Sequence, residues 1–229
     1  MSEALVSVIL PVYNGAGFLR EAIASVLDQD YPEKELIVID DGSSDGSADI
    51  AAAISGVQLI RRANAGVAAA RNVALAASRG AYIAFIDHDD QWLPGKLTKQ
   101  VGFLNAHPEM AYVVAREKLV LDEGTALPQW ARPEALTQDL VAYIPSVLVA
   151  RRWAFDRVGH FDESYVNGSD TDWFYRVKDA GFPSGVVDET LLLRRAHGAN
   201  ASNQWHISRG DLFKALHASM NRRRKGNEA

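Results

Sequence analysis

Three carboxylates fall within four positions at Asp87-His88-Asp89-Asp90, directly after the apolar run Ala81-Tyr82-Ile83-Ala84-Phe85-Ile86. Carboxylates gathered at the end of a buried strand repel one another and lose solvation, so they favour a nearby cation. The Asp-x-Asp spacing can present two oxygens to one hard divalent ion, which suits Mg²⁺ or Mn²⁺. A solvated acidic turn that caps a helix starting near Pro94 explains the same residues. A second acidic pair, Asp40-Asp41, ends the run Glu35-Leu36-Ile37-Val38-Ile39 and is followed by Gly42-Ser43-Ser44-Asp45.

The elements that must position these groups alternate through the first half. Strands are predicted at Leu5–Leu10, Glu35–Asp40, Val57–Arg61 and Ala81–Ile86. Between them lie helices whose apolar residues recur at helical spacing: Phe18 to Leu27, a short Ala-rich helix from Asp45 or Ser47 to Ser55, and Gly66–Ser78. This order predicts a parallel, doubly wound sheet, which binds ligands at the carboxyl ends of its strands. Asp40, Asp41, Asp87 and Asp89 all fall at such ends. Beyond a helix at Pro94–Ala106, strands are predicted at Met110–Ala115, Lys118–Leu121 and Ile144–Ala150. A loop covers 122–143. Helices are predicted at Ser169–Ala180 and Gln204–Met220.

Composition bounds the function classes. The chain has 229 residues, 48% of them hydrophobic and 23% charged, as in ordinary globular proteins. A net charge of −5 gives no reason to expect nucleic-acid binding. No cysteine is present, which excludes disulfides and thiolate metal sites. No stretch reaches the ~18 apolar residues of a membrane helix, so a cytoplasmic protein is expected. The basic cluster Arg222-Arg223-Arg224-Lys225 is either a solvated helix end or a weak contact with the inner face of an anionic membrane.

Gly15-Ala16-Gly17 after the first strand, with Asp40 ending the second, mimics a dinucleotide fingerprint. Arg20 occupies the third glycine position, and Pro11-Val12-Tyr13-Asn14 separates strand from glycines, so NAD binding is not expected.

Taken in order, the chain resembles the family 2 glycosyltransferases of the GT-A fold. The matching pieces are Val6 to Asn14, Glu35 to Asp45, Asn64-Ala65-Gly66 with Ala70-Arg71-Asn72, and Asp87 to Asp90 followed by Trp92. Val158-Gly159-His160-Phe161-Asp162-Glu163 and Asp170-Thr171-Asp172 complete the set. The Gln-x-x-Arg-Trp segment of processive relatives is absent, which argues for addition of one sugar at a time.

The resemblance implies an α/β GT-A fold: a Rossmann-like, mostly parallel sheet flanked by helices, with a smaller acceptor-side sheet region. It implies one domain over 1–229. Residues 1–106 would bind the nucleotide sugar, 107–200 the acceptor and the catalytic base, and 201–229 would form a final helix and basic tail. The implied donor is a nucleotide sugar, most often a UDP-sugar. The implied acceptor is a glycan or lipid-linked sugar, as in bacterial polysaccharide biosynthesis.

Pro11, Val12 and Tyr13, with Asn14 beside them, would contact the nucleoside. Asp40 would accept the imide N–H of uracil. Asp41 would touch the nucleotide or serve as a turn residue, and Arg71 would lie near the base or phosphates. Asp89 would bind Mn²⁺ or Mg²⁺, and Asp87 would reach the metal, its water or the ribose. His88 sits within that nucleotide-binding stretch but would point away from the ion. His197 would complete the metal shell or touch the diphosphate, with Arg194 and Arg195 near the phosphates. The segment up to Ser202 would order as a lid.

Asp170 matches the position of the general base of an inverting displacement. Ser169 replaces the usual Glu, and Asp172 is a fallback base. A non-catalytic nucleotide-sugar scaffold and a sugar-phosphate nucleotidyltransferase are the alternatives, and a homo-oligomer is compatible with all three.

Overall fold

The computed structural model describes residues 3–198, 200, 203 and 205–227. Its first half is a parallel sheet built from β1 (Val6–Val12), β2 (Lys34–Asp40), β3 (Val57–Arg61) and β4 (Tyr82–Phe85), in the spatial order β3-β2-β1-β4. Every residue of β1 and β4 is buried, as is Leu36–Asp40 of β2. Strands covered on both faces need continuous apolar runs, which is what Val-Ser-Val-Ile-Leu-Pro-Val and Tyr-Ile-Ala-Phe supply.

Helices α1 (Leu19–Leu27), α2 (Ser47–Ala52) and α3 (Val67–Ala77) cross between these strands. In α1 the buried residues Leu19, Ala22, Ile23 and Val26 form one stripe, while Arg20 and Glu21 face solvent. Strand β1 runs through Pro11, two residues past its expected end. The last β1–β4 pair is Ile9 with Phe85, so Pro11 lies beyond the ladder on that side, where a missing N–H is tolerated.

The second half departs further from expectation. Strands β5 (Gln91–Trp92), β6 (Tyr112–Leu121), β7 (Leu140–Val141), β8 (Val149–Arg151) and β9 (Ser184–Ala196) continue the sheet in the order β4-β8-β6-β9-β5, with β7 on β6. The helices are α4 (Lys96–Ala106), α5 (Arg152–Val158), α6 (Ser169–Asp179) and α7 (Trp205–Asn227).

The two strands expected at 110–121 are one strand. Its register shifts between Ala115 and Glu117, so the charged Arg116-Glu117 step makes an irregularity in the ladder rather than a break. The strand expected at Ile144–Ala150 begins as a 3-10 turn at Pro145–Val147 and becomes strand only at Val149, because Pro145 cannot donate to a ladder. The expected loop at 122–143 contains a 3-10 turn at Pro133–Leu136 and β7.

Strand β9, unanticipated, is the longest in the sheet. Its first seven residues are exposed or partly buried, and only Leu191, Leu192 and Ala196 are fully buried. That leaves it without a simple alternating pattern. The last helix extends past Met220 to Asn227, held by Arg222 and Arg223 on Asp179. Gln204, its expected first residue, and Ala199, Ala201 and Ser202 of the expected lid lie outside the described residues.

Candidate active site

Four parallel strands end along one edge, and the loops leaving them are stitched together. Asn14 stands in the left-handed region at φ 50°. Its N–H donates to Ser43 Oγ (2.9 Å), and its Oδ1 accepts from Ser44 N–H (2.9 Å). Gly15 N–H donates to Ser47 Oγ (3.0 Å) and Ala16 N–H to Asp45 Oδ2 (2.9 Å). The loop after β1 is thus fixed by the loop after β2. Pro11 and Val12 are buried beneath it, and Tyr13 is exposed above. His88 lies over the same loop: a Cβ built on Gly15 would come within 2.2 Å of the imidazole. The glycine is there because the ring occupies its side-chain space.

Asp40 is 1% exposed at the end of β2. Its Oδ1 accepts Ser43 N–H (3.0 Å), and Arg61 Nε stands 3.5 Å from Oδ2. Oδ2 is buried and has no hydrogen-bond donor among the described residues, an acceptor position that a ligand N–H can fill. Asp41 is committed differently. It accepts the backbone N–H groups of Ala65 (3.2 Å) and Gly66 (2.8 Å) and pairs with Arg62 at 3.2 Å, so it clamps the turn into α3.

Arg71 is buried on α3, and its Nη2 donates to Asp87 Oδ1 at 2.7 Å. Its guanidinium also lies 5.7 Å from the Phe161 ring centroid. Asp89 is held by the segment that follows β9: Oδ2 lies 3.0 Å from His197 Nε2 and accepts from Asn200 Nδ2 at 2.9 Å. Among the described residues no group of three or more His, Asp or Glu donors gathers as a ready-made metal cage; Asp89 and His197 form a two-donor pair.

Asp90, not singled out from sequence, is the buried member of the trio. It accepts Arg195 N–H of β9 at 3.2 Å. Burial, reinforced by Asp89 and Asp87, pushes its carboxyl well above the ordinary range against the pull of Arg194 and a Ser146 hydrogen bond. Ser146 also accepts Asp87 N–H (3.0 Å) on its hydroxyl and Trp92 Nε1–H (2.9 Å) on its carbonyl, which braces the acidic turn from below.

Asp170 sits in the first turn of α6. Burial raises its carboxyl, Arg71 draws it back, and Asp87 raises it further, so it lies within electrostatic reach of the Arg71–Asp87 pair. Its turn is held from afar. Asp211 of α7 accepts the N–H groups of Asn167 (2.7 Å) and Gly168 (3.1 Å). A Cβ on Gly168 would meet Asp211 at 2.6 Å.

Asn72 grips the preceding loop through Phe161 O (2.9 Å), Phe161 N–H (3.0 Å) and Glu163 (2.9 Å). Asp172 pairs with Arg176 at 2.7 Å, and Arg176 also donates to His160 O at 2.6 Å. Asp172 is thereby spent on holding the loop. Arg194 and Arg195 are likewise paired, with Glu117 (3.3 Å), Glu21 (2.7 Å) and Asp122 (3.1 Å).

Among the tryptophans of the second half, Trp173 is core, stacked on Phe155 at 4.5 Å. Trp153 packs edge-on to Phe182. Trp130 lies under Arg194, with the guanidinium 4.0 Å from its ring centroid, on the rim beside β9.

Comparison with known proteins bears on the family and the fold. The profile of Glycosyl transferase family 2 matches residues 7–162. The chain is 38% identical over 225 residues to the "Putative teichuronic acid biosynthesis glycosyltransferase TuaG" of Bacillus subtilis, covering 92% of this chain and 87% of that one. Its fold superposes with a TM-score of 0.76 on S. aureus TarS 1–349 in complex with UDP-GlcNAc, at 20% identity, covering 95% of this chain and 66% of that one. The mannosyltransferase PcManGT from Pyrobaculum calidifontis, in complex with GDP-Man and Mn²⁺, also gives 0.76 at 20% identity, over 96% and 65%. The chain therefore spans about two thirds of the length of these solved structures. The fold is GT-A, and the chain belongs to Glycosyl transferase family 2, as an enzyme that transfers a glycosyl group from a nucleotide-sugar donor.

Proposed function

We propose that the donor is a UDP-sugar, that one sugar passes to a hydroxyl of a glycan or lipid-linked acceptor with inversion, and that Asp170 is the general base. The observation that carries this reading is the set of carboxylates at the strand ends together with Asp170 in the first turn of α6. Asp40 keeps a buried open acceptor, Asp87 is paired with Arg71, Asp89 stands against His197, and Asp170 feels both Arg71 and Asp87.

Asp40 supports a uracil base. Its Oδ1 is occupied by Ser43 N–H, so one oxygen remains, and uracil offers one imide N–H on that edge. Guanine presents two donors on the corresponding edge and would ask for both oxygens. Tyr13, exposed above the β1 loop, is placed to cover the nucleoside from the solvent side. Arg71 orients Asp87 toward the ribose or a metal-bound water through Nη2, while its Nε has no hydrogen-bond partner among the described residues.

Asp89 and His197 fit a divalent ion. An oxygen donor beside an imidazole nitrogen suits Mn²⁺ better than Mg²⁺, and such sites take their remaining donors from diphosphate oxygens and water. When bound, the ion neutralises charge on the departing nucleoside diphosphate. The presence of Mn²⁺ with GDP-Man in PcManGT supports this assignment.

Asp170 accepts the proton of the attacking hydroxyl. Desolvation raises its carboxyl and so makes its carboxylate a stronger base than an exposed one, and Arg71 partly offsets that rise. A single in-line displacement with the base opposite the leaving group inverts the anomeric centre. The TuaG resemblance supports a polysaccharide acceptor. No helix among the described residues is long and apolar enough to cross a membrane.

Thermal-shift titration with UDP, GDP, dTDP and NAD, each with and without Mn²⁺, tests the donor. Ligand at a hundred times its dissociation constant stabilises by about 2.7 kcal/mol. A Mn²⁺-dependent shift with UDP that is lost in Asp40→Ala and Asp89→Asn is expected. A shift with NAD alone, or none with any nucleotide, overturns the donor reading.

A further inference from the structure

Helix α7 packs one face on α6 and presents the other to solvent. The inward face carries Asp211, Ala215 and Ser219, all buried, and Asp211 and Ser219 are hydrogen-bonded to the rest of the protein. The outward face is unusual for a soluble helix. Leu212, Leu216 and Met220 follow one another at i, i+4 spacing and are 43%, 42% and 47% exposed, with Phe213 at 60% beside them.

The same row continues into Arg224, and Arg209 lies one turn before Phe213 with its guanidinium 6.0 Å from that ring. Single exposed apolar residues are ordinary, but a row of four on one helix is a contact surface.

Charge says what covers it. The whole chain has 24 Lys and Arg against 29 Asp and Glu, yet α7 carries Arg209, Lys214, Arg222, Arg223, Arg224 and Lys225 against Asp211 alone. Asp211 is turned inward. Arg222 and Arg223 are tied to Asp179 at 2.9 and 2.8 Å, which pins the helix end to α6. Arg224 and Lys225 are exposed beyond that anchor, with no acidic partner among the described residues. A second copy laid on this face would bring no acidic group from its own α7 to meet them. An anionic bilayer offers both a negative surface and an apolar boundary layer.

We propose that the outward face of α7 docks the enzyme on an anionic membrane surface, with Leu212, Phe213, Leu216 and Met220 entering the headgroup boundary and Arg209, Arg224 and Lys225 meeting lipid phosphates. The same helix holds the Asp170 turn through Asp211, so docking anchors the catalytic side of the site to the bilayer. This inference does not depend on which nucleotide is bound.

Co-sedimentation of the full chain with vesicles tests it. Binding to phosphatidylcholine–phosphatidylglycerol vesicles in equal parts is expected to exceed binding to phosphatidylcholine alone by about tenfold or more. Phe213→Ser with Leu216→Ser, and separately Arg224→Glu with Lys225→Glu, are each expected to weaken binding about tenfold at unchanged melting temperature. Equal binding by wild type and both variants, or no binding to the anionic vesicles, overturns the proposal. A concentration-dependent dimer in sedimentation velocity that the Phe213/Leu216 variant abolishes also overturns it, by assigning the face to a second copy.

Discussion

The donor side and the catalytic side of this site are held in place by different means. On the donor side, neighbouring parallel strands carry neighbouring loops, and the contacts that fix them join Asn14–Ala16 to Ser43–Ser47, about thirty residues apart. Around Asp170 the nearby Arg176 contacts are joined by much longer ones. The turn before Asp170 hangs on Asp211, 43 residues away for Gly168, and its preceding loop hangs on Asn72, 89 residues from Phe161. The acidic turn of Asp87–Asp90 joins the two, reaching 105 residues to Arg195. Binding machinery built from adjacent elements can be altered piece by piece. If Asp170 is the base, machinery built from distant elements couples chemistry to the packing of α7.

The largest expected effect separates the two sides outright. Asp170→Asn is expected to reduce transfer by about 10²–10⁴-fold while leaving UDP affinity unchanged, read by single-turnover assay beside the thermal shift. Transfer at the wild-type rate would remove the base from the catalytic side. The wild-type rate should also fall with acid, because the base acts unprotonated. Its raised carboxyl places that fall above the ordinary aspartate range near pH 4.

Asp211→Ala tests whether the catalytic turn depends on α7. Two backbone N–H groups lose their acceptor, at a cost of about 1–3 kcal/mol in denaturant unfolding. We expect kcat to fall with donor KM unchanged, and Asp211→Asn to recover part of it because the amide oxygen still accepts. An equal change in donor KM would erase the distinction between the sides.

Gly15→Ala is the converse on the donor side. The new methyl meets the His88 imidazole, so the loop is expected to lose about 1–2 kcal/mol and donor KM to rise. Removing the ring as well, with His88→Ala, should restore most of the loss; a double variant as weak as the single one would place the cost elsewhere.

The smallest effect concerns Lys96, fully buried at the start of α4, bonded to Gln100 Oε1 at 2.6 Å and 4.3 Å from the Trp92 ring centroid. Burial pushes its ammonium well below 10.5. The folded chain therefore binds fewer protons than the unfolded one between the lowered value and 10.5, and stability rises with pH across that window. Lys96→Met should flatten the slope by about 1 kcal/mol per pH unit, measured as urea midpoints from neutral pH upward.

Legibility in the sequence followed the same division. The βαβ half was readable because strands buried on both faces leave unbroken apolar runs, and Asp40, Asp41, Asp87 and Asp89 stood at their ends. Strand β9 was not, since it is half-exposed along most of its length and shows neither a continuous nor an alternating pattern. Helix α5 was too short to show a period, and Asp90 looked like its acidic neighbours until burial set it apart. A signal for Asp211 does exist: it is the lone acidic residue in an otherwise basic helix, which asks for a partner elsewhere.

The residues by themselves determined the fold class, the family and the strand-end carboxylates, because hydrophobic period and local motif are properties of consecutive positions. Only the tertiary structure decided which carboxylates remain available. Asp41 went to the turn at Gly66, Asp172 to Arg176, Asp87 to Arg71 and Asp89 to His197, while Asp40 Oδ2 stayed buried without a hydrogen bond among the described residues, 3.5 Å from Arg61 Nε. Those outcomes depend on which distant donor each side chain meets and how much water each loses, and neither is written in the spacing of residues along the chain.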